Sequence, residues 1–80
     1  MKRVQVQYFA ILREQARCSE ETVATAAASP AALYEELRRR HGFSLAGAQV
    51  RVAIDDRFAA WDAPLADGVR VVFVPPFAGG

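Results

Sequence analysis

This 80-residue sequence is poor in the side chains that carry out most enzyme chemistry. Its single cysteine, Cys18, cannot form an intrachain disulfide, and neither a second cysteine nor a positioned histidine supports a nucleophilic role. We expect a buried or half-buried thiol, although its neighbours Arg17 and Ser19 are of the kind that could lower its pKa. The single histidine, His41, lacks the partners of a metal site or a catalytic triad, and we expect it at the C-terminal end of a helix.

Strong charge and long apolar runs are also lacking. A formal net charge of +1 gives no reason to expect nucleic acid or an anionic membrane as a partner. The apolar stretches are too short to span a bilayer, and residues 1–6 alternate in polarity where a secretory signal would be continuously apolar. We therefore expect a cytoplasmic protein. Neither a Walker-type glycine–lysine loop nor a GxGxxG motif is present, so we expect this chain itself to bind no cofactor and no metal.

The composition that remains is that of one small globular domain. Apolar residues make up 52% of the chain, which argues against disorder. A chain of 80 residues leaves no room for a linker and a second unit. We expect one domain over residues 1–80, in which residues 75–80 form an extended C-terminal tail.

Alternating polarity predicts the strands of this domain. Residues 3–10 form a half-buried strand in which Val4, Val6 and Tyr8 face the same side. Residues 20–26 contain several β-branched side chains, which favour a second strand. Further strands are predicted over 49–55, over 58–61 and, after a turn that ends in glycine, over 69–74.

One main helix is predicted, with a clear start and a clear end. Ser29 can cap free backbone N–H groups, and Pro30 at the first helical position loses no hydrogen bond. Gly42 occupies the position that usually ends a helix. The buried stripe of this helix consists of Leu33, Tyr34 and Leu37. A shorter helical turn is predicted over 11–17.

The order of these elements predicts an α+β domain of the β-grasp, ubiquitin-like type. A mixed sheet of four or five strands would carry the main helix across one face. Because strand crossovers are right-handed, the last strand is expected beside the first and parallel to it. A split βαβ sandwich is the alternative topology, but it usually needs two helices.

The sheet face away from the helix is expected to bind a partner. This face is polar at one end and apolar at the other, where Phe9, Val72 and Val74 cluster near the ends of the first and last strands. A contiguous exposed apolar patch on a small protein usually marks an interaction site. The alternative is a second small core beneath the helical turn at 11–17.

Three successive arginines, Arg38–Arg40, occupy the last turn of the main helix. Positive charge there is favourable because the C-terminal end of a helix is electronegative. We interpret this run as a solvated helix end. The alternative is a docking patch for an acidic partner.

The sequence ends in Pro75-Pro76-Phe77-Ala78-Gly79-Gly80, directly after the last predicted strand. The two prolines favour a stiff polyproline II path of about 3.1 Å per residue. Glycine has no Cβ, so the last two residues would form a thin stalk that can enter a narrow tunnel. If Gly80 is the terminus, this stalk presents a free α-carboxylate to another protein.

A carboxylate is a poor electrophile, and attack on the α-phosphorus of ATP would convert Gly80 into an acyl-adenylate. Sulfur attack would then leave a thiocarboxylate, whereas attack by an amine would leave an isopeptide. Since this chain has no nucleotide-binding motif, a separate adenylating enzyme would have to use the ATP and stabilise the developing charge.

Two parts of the sequence resemble the family of molybdopterin synthase small subunits, the MoaD-type sulfur carriers. The first is residues 62–80, which join an Asp-x-Pro-Leu-x-Asp-Gly turn to the Pro-Pro-x-x-Gly-Gly ending. The second is residues 6–14, which are similar to the first strand of the family and its Phe-Ala-x-x-Arg-Glu turn. The overall length also fits, although the middle of the chain agrees only in pattern.

This resemblance implies that a MoeB-type enzyme adenylates Gly80 and that a sulfur donor system converts it to a thiocarboxylate. The tail, residues 75–80, would then insert into the large MoaE-type subunit of molybdopterin synthase, in a hetero-oligomer. There precursor Z (cyclic pyranopterin monophosphate) would receive the sulfur that forms its dithiolene. Phe9 and Arg13 match family positions associated with partner contacts. The chain alone would be a sulfur donor and a non-catalytic subunit.

Other functions are compatible with the same ending. A related carrier could supply sulfur for thiamine or cysteine synthesis. A ubiquitin-like modifier would instead form isopeptide bonds through Gly80. A plain interaction domain would be indifferent to its terminus.

Overall fold

The computed structural model describes residues 1–76 of the chain. In chain order the elements are β1 (Lys2–Tyr8), α1 (Ala10–Ala16), β2 (Glu20–Thr25), α2 (Pro30–His41), a 3₁₀ turn (Gly47–Gln49), β3 (Arg51–Ile54), β4 (Arg57–Ala59) and β5 (Arg70–Val74). The strands form one sheet in the order β2-β1-β5-β3-β4. The central pair, β1 and β5, is parallel, and the other neighbours are antiparallel. This is the expected β-grasp arrangement, with the last strand beside the first.

Helix α2 begins and ends where the sequence places it. The Ser29 side chain accepts a hydrogen bond from the backbone N–H of Ala32 at 3.2 Å, and Pro30 follows at the first position. Gly42 adopts a left-handed conformation (φ 73°), and its N–H bonds to the carbonyl of Arg38. Leu33, Tyr34 and Leu37 are all fully buried, which confirms the predicted stripe.

Alternation in the strands is also confirmed, but the element bounds shift. Strand β1 ends at Tyr8, because Phe9 already serves as the N-cap of α1. Strand β3 starts at Arg51, two residues later than predicted, because Val50 closes a 3₁₀ turn that the sequence did not indicate. Strand β4 is Arg57–Ala59 and not 58–61, because the two-residue turn before it pairs Ile54 directly with Arg57.

The core lies between the sheet and α2, and its centre is aromatic. The Tyr34 ring contacts the rings of Phe43, Trp61 and Phe73, with centroids 5.8, 5.7 and 5.1 Å away. The alternating strand residues complete it: Val4, Val6, Tyr8, Val23, Val52 and Val71 are buried. Short helix α1 adds Leu12, which is also fully buried. These buried strand residues all lie on the sheet face toward α2.

Within residues 1–76, no helix has the length and apolar character needed to cross a membrane.

Candidate functional site

The tail leaves the domain at one defined edge of the sheet. Because β1 and β5 are parallel, their C-terminal ends meet there, with Tyr8 beside Phe73. Antiparallel β3 begins at the same edge, where Arg51 pairs with Val74. Pro75 is half-buried and Pro76 is exposed. The predicted tail residues Phe77, Ala78, Gly79 and Gly80 lie outside the described residues, so the roles assigned to them stay predictions.

Phe9 and Arg13 lie at this edge as well. Phe9 is extended (φ −128°, ψ 155°), so the alternation of β1 continues through it and its side chain points away from the core. Its carbonyl accepts hydrogen bonds from the N–H groups of Leu12 and Arg13, which starts helix α1. Ala10 takes a positive φ of 51°, a conformation that alanine rarely adopts, and the chain turns sharply there. Phe9 remains 41% exposed, and Arg13 is exposed.

The strand register builds an apolar surface on the sheet face away from α2. Val72 of β5 pairs with Ala53 of β3, and Ala53 pairs with Phe58 of β4, so the three side chains lie in one row across the sheet. Val74 lies one step further along β5 on the same face. We call this surface the open-face patch; it consists of Phe9, Ala53, Phe58, Val72 and Val74.

Phe58 is a member of the patch that the sequence analysis did not identify. It is 60% exposed, and the Arg51 guanidinium lies 4.0 Å from the centre of its ring. A cation at that distance holds the ring against the sheet and shields part of its face. The two-residue turn Asp55–Asp56 was the signal that would have identified it, since a tight hairpin there sets Phe58 opposite Ala53.

Helix α1 does not cover a second small core, which was the alternative to an exposed apolar patch. Leu12 is buried in the main core, whereas Ile11 is 40% exposed and Phe9 remains partly exposed. The polar end of the open face is as expected: Arg70 donates to the side-chain carbonyl of Gln7 at 2.8 Å. The open-face patch therefore has a polar border on the side away from the tail.

A partly buried polar cluster on the opposite face joins α2 to the sheet. The Tyr8 hydroxyl donates to Glu21 at 2.5 Å, and His41 Nε2 lies 2.7 Å from the same carboxylate oxygen. Burial raises the pKa of Glu21, but these two hydrogen bonds and the charges of His41 and Arg40 outweigh it and hold the pKa below its usual range. His41 is the last residue of α2, as predicted, and its contact with Glu21 fixes that helix end.

Cys18 is half-buried, as expected, and its neighbours Arg17 and Ser19 do not lower the pKa of its thiol. Burial and then the nearby Glu21 carboxylate raise the pKa of the thiol. A raised pKa reduces the thiolate fraction and argues against a nucleophilic role. Burial, followed by the hydrogen bond to the Glu21 carboxylate and its charge, also raises the pKa of the Tyr8 hydroxyl. No group of three His, Cys, Asp or Glu residues in the described part of the chain is placed to hold a metal ion.

One protein family and several solved structures resemble this chain. The model of the ThiS family matches residues 6–80. A solved structure from Pyrococcus furiosus, provisionally named molybdopterin converting factor subunit 1, is 30% identical, with a TM-score of 0.79 over 95% of this chain and 99% of that one. No curated protein matches the sequence.

Two further solved structures share the fold at lower identity. One is small archaeal modifier protein 1 from Haloferax volcanii, at 20% identity, with a TM-score of 0.77 over 95% of this chain and 99% of that one. The other is a chain in the complex of subunits 1 and 2 of molybdopterin-converting factor from Helicobacter pylori. It is 22% identical, with a TM-score of 0.67 over 98% of this chain and 99% of that chain.

Proposed function

We propose that this chain, which belongs to the ThiS family of ubiquitin-like sulfur carriers, supplies sulfur for assembly of the molybdenum cofactor. The observation that carries the proposal is the diglycine ending, which closes the short tail after β5 and lies within the family match. The name of the 30%-identical Pyrococcus furiosus protein supports molybdopterin as the destination of the sulfur.

The proposed reaction takes place on the carboxylate of Gly80. A MoeB-type enzyme binds ATP, and a carboxylate oxygen attacks the α-phosphorus, which releases pyrophosphate and leaves an acyl-adenylate. A sulfur nucleophile from a donor system then attacks the acyl carbon and expels AMP, which leaves a thiocarboxylate. The carrier binds no cofactor of its own in this scheme.

The domain contributes position and not catalysis. In residues 1–76 the tyrosine and cysteine side chains near the tail edge have raised pKa values, so none of them is an activated acid or base. What the sheet supplies is a fixed base for the tail: Phe73 is held between β1 and β3, Val74 pairs with Arg51 of β3, and the prolines follow. A rigid base limits the volume that the reactive end explores, which raises its effective concentration in a partner's site.

The open-face patch is the proposed docking surface for the large MoaE-type subunit of molybdopterin synthase, in a hetero-oligomer. It lies at the same sheet edge from which the tail leaves, so a partner seated on it would receive the tail directly. Aromatic side chains such as Phe9 and Phe58 are typical anchors of protein interfaces. Inside that partner, precursor Z would receive the sulfur, and Gly80 would return to a carboxylate.

The test is loading of the chain by the adenylating enzyme, ATP and a sulfur source, followed by addition of the large subunit and precursor Z. We expect a thiocarboxylate on the wild-type chain, none on the chain lacking Gly80, and molybdopterin as the product. Rescue of a strain that requires thiamine or cysteine, but not of one that lacks molybdopterin, would redirect the proposal to a related pathway. Lysine conjugates in cells in place of sulfur transfer would make the chain a modifier.

A further inference from the structure

The charged side chains of this domain are unevenly distributed between its two ends. Helix α2 runs parallel to β1, and the His41 ring lies 5.8 Å from that of Tyr8, so the helix ends at the tail edge of the sheet. The chain after α2 is tied to α1 there, since Gln15 exchanges two hydrogen bonds with Ser44. Six arginines lie on the elements that meet at this edge: Arg13, Arg17, Arg38, Arg39, Arg40 and Arg51. We call this set the basic end.

The acidic residues do not balance the basic end. Five glutamates lie on the same elements, but Glu35 pairs with Arg38, and Glu36 bonds to Thr25 at the end of β2 away from the tail; the others are Glu14, Glu20 and Glu21. All four aspartates are in turns away from the tail. Asp55 and Asp56 form the β3–β4 turn, and Asp67 accepts a bond from the N–H of Arg3 at the start of β1. Asp62 follows Trp61, whose carbonyl binds the first turn of α2. A formal charge of only +1 therefore conceals a positive end from which the tail leaves.

Five of these six arginines form no ion pair within residues 1–76, and two of the five, Arg39 and Arg40, lie in the last turn of α2. Arg38 pairs with Glu35 at 3.7 Å and donates to the carbonyl of Phe43, so it serves the helix end itself. Arg39 and Arg40 are exposed, and neither forms an ion pair with a carboxylate of the described chain. The positive charge of Arg40 does reach the half-buried Glu21, whose pKa it helps to lower. Arg39 forms neither an ion pair nor a cation–π contact with any residue in the described range 1–76.

We infer that the basic end, with Arg39 and Arg40 at its centre, steers the tail toward an acidic rim around the tail-accepting channel of the adenylating enzyme. This inference rests on the proposed function and adds the chemistry of the partner's surface. Charge complementarity raises association rates more than it raises affinity. That property suits a partner which must bind, activate and release the carrier.

The structure separates Arg39 and Arg40, the centre of the basic end, from the surface proposed for the large subunit, although Arg51 of the same set lies over Phe58. The open-face patch is apolar and lies on the sheet face away from α2, whereas Arg39 and Arg40 lie on the helix side. Apolar surfaces suit stable subunit contacts, and exposed charges suit transient encounters. Substitution of the arginines is therefore expected to affect the two partners differently.

The experiment compares association rates of the wild-type chain, R39E/R40E and the milder R39Q/R40Q with the adenylating enzyme and with the large subunit. The matched control is R3E/R57E, which makes the same change in net charge at exposed sites away from the tail. At low salt we expect R39E/R40E to bind the adenylating enzyme at least about fivefold more slowly than wild type. R39Q/R40Q should be intermediate, and the control should lie close to wild type.

Salt provides the second readout. Raising the ionic strength to about 1 M shortens the screening length to about 3 Å, so the rates of wild type and variant should converge. Circular dichroism checks that α2 is intact, because glutamate opposes the dipole at a helix C-terminus. Three results would overturn the inference while wild-type adenylation continues. The association rate of R39E/R40E with the adenylating enzyme could be unchanged, R3E/R57E could lose as much of that rate, or only the rate with the large subunit could fall. Absence of wild-type adenylation would instead overturn the proposed function, and the inference with it.

Discussion

Replacement of Phe58 by alanine tests whether the open-face patch is the docking surface for the large synthase subunit. An aromatic side chain presents about 150–250 Å² of surface, and Phe58 leaves 60% of its surface exposed, so about 120 Å² is available to a partner. At about 25 cal/mol per Å², complete coverage would contribute about 3 kcal/mol. Coverage of half that area contributes about 1.5 kcal/mol. We therefore expect F58A to raise the Kd for the large subunit by about tenfold to a hundredfold.

The same substitution also costs some folding stability, and the assay has to separate the two effects. Loss of the buried part of the ring and of its contact with Arg51 should destabilise the domain by about 1–2 kcal/mol. The matched control is V23A, since Val23 is fully buried in β2, far from β4 in the sheet order. Loss of two buried methyl groups should cost about 2 kcal/mol of stability and leave the affinity unchanged.

Isothermal titration calorimetry measures the affinities, and thermal melting measures the stabilities. Unchanged affinity of F58A would refute the assignment of this face. An equal loss of affinity in V23A would show that binding follows overall stability and not the exposed ring.

Three further predictions concern the site and the core. Phe9→Glu and Val74→Glu should each weaken binding of the large subunit with little change in melting temperature; a large drop in melting temperature would place these side chains in the core. Leu37→Ala should lower the free energy of unfolding by about 2–5 kcal/mol, since Leu37 is fully buried. Urea denaturation measures this free energy, and a change near zero would contradict the burial of Leu37. Because the pKa of Glu21 is lowered in the fold, its stabilising effect is complete above about pH 4.3 and is lost as the pH falls through the folded value. The stability difference between wild type and E21Q should therefore shrink in acid, and a difference that grows in acid would contradict the network.

The fold was largely predictable because its determinants are local and periodic. Val4, Val6 and Tyr8 alternate with polar residues, and Ser29-Pro30 and Gly42 mark the ends of α2 without reference to the rest of the chain. The crossover rule then placed β5 beside β1. The 3₁₀ turn before β3 has no such signal, since Gly47–Gln49 carry no apolar periodicity and Ala46 at the N-cap position has no side-chain oxygen.

The site was predictable only where a single strand determines it. Val72 and Val74 follow from the alternation of β5, and both lie on the expected face. Phe58 depends on which residue of β3 it opposes, and that register is set by the hairpin turn. The Glu21–His41 contact joins residues far apart in the chain, so no local pattern indicates it. The raised pKa of Cys18 likewise depends on burial and on Glu21, neither of which its sequence neighbours reveal.

Intact-mass spectrometry of the chain after incubation with its adenylating enzyme, ATP and a sulfur donor tests the central claim most directly. The account predicts a mass increase equal to the difference between sulfur and oxygen, located on the peptide that ends in Gly80. It also predicts that the increase disappears when Gly80 is deleted from a chain that still folds. A wild-type mass that does not change, or an increase that persists without Gly80, would contradict it.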